Sequence, residues 1–369
     1  MTEFFSFPYN DAESPLADGF ADFLTRLAEK LGAPPAAAAA AGEAGRSCLL
    51  ALAGGHVCAD LNTLAAARKT AAAGFRELLL NSRVVSGNGE LQLPLVLDDR
   101  GRIYLYRYFA YERQLAAAIL ARTEAAPPQP LPTEVERFLA SRFAVNAAGL
   151  AGRPDRQRLA VTQALVNPLT VISGGPGTGK TTIVATLIAA LTMLDQPPRI
   201  ALAAPTGKAA ARMEAAIGKS LAKLDPALIA RLPKRATTVH LLLGARPESN
   251  DFIHNPGNPL PYDVIIVDEA SMLDLALAAR LFSALPSEAR IVLLGDKDQL
   301  AAVEAGAVFA ELAGKTIFGE AGEEAPAEPT EENAATSPAN SALSASRSDG
   351  LPGCVVWLRK NYRFGAESS

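Results

Sequence analysis

The sequence has little of what marks several protein classes. Its three cysteines, Cys48, Cys58 and Cys354, are odd in number and lack C-x-x-C spacing, so neither a disulfide framework nor a zinc site is expected. His56 and Cys58 in A-G-G-H-V-C-A-D have no ligand partners at suitable spacing and read as packed interior residues. No apolar run approaches membrane-spanning length, and the N-terminus lacks a basic region followed by an apolar core. A cytoplasmic location and no membrane partner are the expectation. Nor is there an excess of positive charge, the net value being -4, which excludes a uniformly basic nucleic-acid binder but leaves room for a local basic groove.

What is present is ordinary for a globular chain, and 369 residues suffice for two or three domains. The organising stretch is V-I-S-G-G-P-G-T-G-K-T-T at 171–182. A buried-strand run enters a glycine-rich turn, and Ile183, Val184, Leu187, Ile188, Leu191 and Leu194 follow at helical spacing. Gly174 to Thr181 fits the phosphate-loop pattern in its strand, loop and helix context. Gly174, Gly175, Gly177 and Gly179, with Pro176 and Thr178 between them, let amide N–H groups approach phosphate oxygens at the positive end of a helix. Lys180 suits the β and γ phosphates, and the hydroxyl of Thr181, followed by Thr182, suits Mg²⁺. ATP as substrate and Mg²⁺ as cofactor are the corresponding expectations.

Residues 1–125 read as a smaller, mostly helical N-terminal domain, with an amphipathic stripe of Phe20, Phe23, Leu24, Leu27 and Leu31 and another from Tyr111 to Leu120. The alanine run Ala36 to Ala41 is helix or linker. Leu91 to Tyr108, with its turn signal at Asp98 to Gly101, predicts a hairpin. A proline-rich linker and a helix fill 126–155. From residue 156 to 313, continuous apolar runs at Leu169–Ile172, Arg199–Ala203, Val264–Val267 and Arg290–Leu294 alternate with helical segments. Such runs suit a parallel sheet covered on both faces, so the fold class is α/β, a motor-type P-loop NTPase core, RecA-like by family resemblance. Residues 314–353 are acidic and rich in proline, serine and alanine, which predicts a disordered insertion. A last strand, Cys354 to Leu358, opens the segment 354–369.

Val264 to Glu269 sets two carboxylates at a strand end: Asp268 suits Mg²⁺, and Glu269 suits deprotonation of an attacking water. A second strand-end cluster, L-G-D-K-D-Q-L at 294–300, offers Asp296 and Gln299, the latter fitted to sense a γ-phosphate. Guanine specificity lacks support, because no Asn-Lys-x-Asp follows a strand.

Together with A-P-T-G-K-A-A-A-R-M at 204–213, T-T-V-H-L-L-L-G at 237–244, V-D-E-A-S-M-L-D at 267–274 and L-R-K-N-Y-R-F at 358–364, these segments come in the order of superfamily 1 helicase motifs. The chain resembles the RecD family, the alpha subunits of exodeoxyribonuclease V. G-H-V-C-A-D-L at 55–61 and P-L-V-L-D-D-R-G-R-I-Y-L-Y-R-Y at 94–108 extend the resemblance over nearly the whole chain. It implies an ATP-dependent 5′ to 3′ DNA helicase subunit in double-strand break repair and recombination, acting on single-stranded DNA and assembled with RecB- and RecC-like subunits in a heterotrimer. It implies that Gln157 reads adenine, that Arg363 contacts the γ-phosphate, and that Pro205, Thr206, Lys208 and His240 meet DNA. Leu241 stands where the family tends to place arginine. The chain stops soon after the arginine motif, so the second motor domain is expected to be missing.

Overall fold

The computed structural model describes residues 14–123, 130–144, 155–221, 235–246, 249, 251–299, 305–314 and 354–358. The acidic insertion, Arg363 and most of the proline-rich linker lie outside the described residues.

The chain opens with helices α1 (Pro15–Lys30) and α2 (Pro35–Ala53), each begun by a proline whose missing N–H costs nothing in a first turn. Ser14 caps α1 by accepting from the Ala17 amide. The alanine run is helix, inside α2. The two helices pack closely because small residues meet: a side chain at Gly42 would lie 2.9 Å from the Ala21 carbonyl, and one at Gly45 would meet Leu24. The buried face of α1 is therefore Ala17, Leu24 and Ala28, whereas Phe23 and Leu31 of the expected stripe stay exposed. The glycines of α2 make room for Leu24 and for Phe20 of the same stripe.

Helices α3 (Leu61–Ala67), α4 (Ala72–Leu80) and α5 (Tyr106–Thr123) complete this helical part. With them comes a small sheet of β1 (Cys58–Asp60), β2 (Val85–Gly87), β3 (Leu95–Leu97) and β4 (Arg102–Leu105), in the order β1-β4-β3-β2. The predicted hairpin is its β3–β4 pair, antiparallel, with Leu97 opposite Ile103. Asp98 holds the turn by accepting from the Arg100 and Arg102 amides and pairing with the Arg102 guanidinium.

After α6 (Thr133–Arg142) and α7 (Arg156–Val166), the second sheet is built from β5 (Leu169–Gly174), β6 (Ile200–Ala204), β7 (Ala236–Thr238), β8 (Val264–Val267), β9 (Arg290–Gly295) and β10 (Val355–Leu358). Its order is β10-β5-β9-β8-β6-β7, and every pairing is parallel. Alternate residues of each central strand enter opposite cores. Val171, Ile265, Val267, Ile291 and Leu293 face one side, and Ile172, Val264, Ile266, Val292 and Leu294 the other. This two-sided burial is why the strands read as unbroken apolar runs.

One face is covered by α6, α7, α8 (Lys180–Thr192) and α9 (Gly207–Leu221). The other is covered by α10 (Val239–Leu243), α11 (Leu275–Ser283), α12 (Val308–Gly314) and, from the N-terminal part, α5. Leu115 and Ile119 of α5 share that core with Leu275 and Phe282, and Arg122 donates to the Pro286 carbonyl at 3.2 Å. The Gly306 amide donates to the Gly55 carbonyl at 3.2 Å, a second tie between the two parts. No helix among the described residues is long and apolar enough to cross a membrane.

Candidate nucleotide site and adjacent polar edge

Because all six strands of the larger sheet run parallel, their C-terminal ends lie along one edge, and each sequence-predicted group within the described residues sits there. The phosphate loop follows β5, Asp296 and Gln299 follow β9, Asp268 and Glu269 follow β8, Pro205 to Lys208 follow β6, and His240 follows β7. Strand order then puts the three nucleotide elements side by side. The two segments carrying Pro205 and His240 form the neighbouring end of the same edge.

The loop has the conformation the glycines permit. Gly177 and Gly179 have φ of 83° and 91°, left-handed values that disfavour side chains. Gly174 is tight as well, since a side chain there would meet Thr178 at 2.6 Å and Leu358 of β10 at 2.8 Å. The Thr178 hydroxyl donates to the Gly175 carbonyl at 2.8 Å, which closes the loop on itself. Lys180 opens α8 and donates from Nζ to the Gly174 carbonyl and, at 3.4 Å, to that of Gly175. Thr181, beside it in the first turn, is exposed. Gln157 is buried and gives its Nε2 proton to the Thr178 carbonyl at 2.9 Å. Its carboxamide thus braces the loop from α7, whose first turn Asp155 caps through the Gln157 amide.

Asp268 stands at the end of β8 with its amide bonded to the Ala203 carbonyl at 2.9 Å. Burial pushes its carboxyl above the usual range, opposed by the hydrogen bond it accepts from the Glu269 amide; the Glu269 charge raises it further and Lys180 pulls it down. Lys180 and Asp268 therefore feel one another's field. Glu269 has φ of 52°, a left-handed conformation that a non-glycine residue adopts only under constraint, and it turns the chain into the 3₁₀ segment Ala270–Met272. That segment packs against β9: a side chain at Gly295 would meet Phe309 at 2.9 Å and the Ser271 amide at 3.0 Å. The two carboxylate clusters are thereby locked together.

An ionised Asp268 beside Glu269 in a buried site costs stability. We expect Asp268→Asn to raise the thermal transition at neutral pH while weakening Mg²⁺-dependent nucleotide binding, since the amide keeps the oxygen that accepts from Glu269. The sign follows from the raised value: the wild-type carboxyl destabilises the fold above its folded pKa and ceases to as it protonates. The stability gap should narrow as pH falls through that value, which calorimetry across pH would read.

Asp296 is buried beside the loop and accepts from the Asp298 amide at 3.1 Å, while the Gln299 amide bonds the Asp296 carbonyl at 3.3 Å; Gln299 is itself exposed. Sequence reasoning passed over Ser173, whose hydroxyl accepts from the Lys297 amide at 3.2 Å and joins this turn to β5. A hydroxyl at the end of an otherwise apolar strand was the available signal.

Along the neighbouring edge, Pro205 and Thr206 are half-buried and Lys208 is exposed. The Thr206 hydroxyl accepts from the Ala209 amide at 3.2 Å, a cap that starts α9. His240 is exposed in α10, its ring 6.0 Å from that of Phe252. Leu241 next to it is 67% exposed, an apolar side chain in water where an arginine would have offered a charge.

A family model described as an AAA domain matches residues 157–305, which begin at Gln157 and run past Gln299. The RecBCD enzyme subunit RecD of Mycolicibacterium smegmatis is 43% identical over 270 residues, covering 71% of this chain and 47% of that protein. The RecBCD enzyme subunit RecD of Mycobacterium tuberculosis is 47% identical over 221 residues, 58% of this chain and 36% of that protein. The ATP-dependent RecD2 DNA helicase of Deinococcus radiodurans is 38% identical over 216 residues, 58% of this chain and 26% of that protein. The chain spans about half the length of the first of these relatives, and less of the others.

Proposed function

Since this chain belongs with the RecD-type superfamily 1 helicases, we propose that it acts as an ATP-dependent 5′ to 3′ DNA helicase subunit of an exodeoxyribonuclease V complex. The subunit acts on single-stranded DNA in double-strand break repair and recombination, beside RecB- and RecC-like partners. One observation supports this most: a single parallel sheet edge carries the nucleotide groups of β5, β9 and β8 directly next to the segments after β6 and β7 that hold Thr206, Lys208 and His240. Work done at one end of the edge has a short path to the other.

The roles are assigned by motif and, for the described residues, by place on the sheet edge. Gly174 to Thr182 cradle the phosphates, with Lys180 as the counter-charge in the first turn of α8. The oxygen donors of Thr181 and Asp268 suit Mg²⁺, which would supply neutralisation of phosphate charge there. Glu269 takes a proton from the attacking water, Gln299 orients toward the γ-phosphate, and Arg363 contributes charge from beyond β10. Gln157 reads the adenine edge while its amide holds the loop. Pro205, Thr206, Lys208 and His240 hold the DNA backbone.

The test is ATP turnover with and without single-stranded DNA, followed by strand displacement on duplexes with a 5′ or a 3′ overhang in the presence of RecB- and RecC-like subunits. Turnover that rises with DNA, and displacement favouring the 5′ overhang, are expected. Turnover indifferent to DNA would leave an ATPase without a helicase role.

A further inference from the structure

The chain holds one tryptophan, Trp357, on the edge strand β10. Its partner across the ladder is Ser173, the residue before the phosphate loop. The indole Nε1 donates to the Ala313 carbonyl at 2.8 Å, near the end of α12. Its own carbonyl accepts from Arg156 at 3.3 Å, and Arg156 precedes Gln157. The Lys297 ammonium lies 5.3 Å from the indole centroid and pairs with Asp298 at 2.6 Å, while the Lys297 amide donates to Ser173. Each of these neighbours belongs to, or adjoins, an element of the nucleotide site.

We propose that Trp357 is a positioning residue of that site. The indole face holds the Lys297 side chain, and through it the turn Asp296 to Gln299 keeps its register against the phosphate loop. An alkyl side chain would neither attract the ammonium nor donate to α12. Asp296 has its Oδ2 3.8 Å from where a Gly175 side chain would begin, so a small slip of this turn is felt at the loop. Lys297 need not touch the nucleotide: its place over the indole sets where Gln299, two residues on, can reach. This inference rests on the ATP reading and adds a residue to it.

The test uses the full chain and its intrinsic fluorescence, with ADP and a non-hydrolysable ATP analogue as probes and equilibrium dialysis as an independent measure of binding. The two nucleotides should give different emission changes, because a γ-phosphate drawing Gln299 inward shifts Lys297 against the indole. Lys297→Met should erase the difference while dialysis affinity stays within about twofold. Trp357→Leu should lower kcat about five- to tenfold with KM for ATP within about twofold, and Trp357→Phe, which keeps an aromatic face, should recover most of the loss. Equal emission with both nucleotides bound would overturn the proposal and spare the ATP reading, as would equal kcat in the leucine and phenylalanine variants. Absence of binding by dialysis would overturn both. Lys297 is partly exposed, so its variant carries the test even where a Trp357 variant folds poorly.

Discussion

Lys180→Ala is expected to reduce ATP turnover by about two to three orders of magnitude, the scale for losing one fixed charge-stabilising donor in a phosphoryl-transfer site. The loss is specific because of what surrounds the lysine. Among the described residues its ammonium bonds the Gly174 and Gly175 carbonyls and acts on Asp268, and it is not part of either hydrophobic core of the larger sheet. The fold depends instead on the residues behind it, with Ile183, Leu187 and Ile188 of α8 fully buried. Losing the hydrogen bonds to the loop costs about 1 kcal/mol, so the thermal transition should fall by only a few degrees. Measuring turnover and the transition on one preparation separates the outcomes. Retained turnover would sink the phosphate-loop assignment, whereas a collapsed transition would make Lys180 a structural residue.

How legible this was in the sequence varied with the physics of each part. Strands β8 and β9 announced themselves because burial on both faces leaves their interiors apolar, and β5 did so through Leu169, Val171 and Ile172 despite its buried Thr170 and Ser173. β7 did not: Ala236, Thr237 and Thr238 are half-buried and carry no apolar pattern, so only pairing with β6 makes them a strand. The α1 stripe was half right: Leu24 is buried and Phe20 and Leu27 pack against the core, but Phe23 and Leu31 are exposed, because the close approach to α2 is set by glycines, Gly42 facing Ala21 and Gly45 facing Leu24 and Phe20, which periodicity of large apolar residues does not report. The packing of α5 against the larger sheet was equally hidden, since a helical stripe names a face and not its partner. At the site, the phosphate loop and the carboxylates are local motifs and were readable. The bracing contacts were not, for Lys297 and Ser173 lie 124 residues apart.

Glu269→Gln gives the sharpest contrast with its neighbour. The glutamine keeps shape and hydrogen-bonding capacity but cannot take a proton from water, so turnover should fall by about two to four orders of magnitude with nucleotide affinity nearly intact. The backbone fixes where the carboxylate starts. At φ of 52° Glu269 pays a conformational cost that the Ala270–Met272 turn and the packing of Ser271 on Gly295 impose, and the strained geometry carries the side chain off the line of β8 that Asp268 follows. Removing its charge also relieves Asp268, whose carboxyl Glu269 helps to push up, so the variant should be somewhat more stable than wild type at neutral pH. Asp268→Asn should share that gain in stability but lose Mg²⁺-dependent affinity. Titrating a fluorescent ATP analogue against both variants at fixed Mg²⁺, with turnover measured alongside, decides the matter. Equal loss of affinity in the two would refute the division between a metal-holding Asp268 and a proton-accepting Glu269; equal turnover in Glu269→Gln and wild type would move the general base elsewhere on the sheet edge.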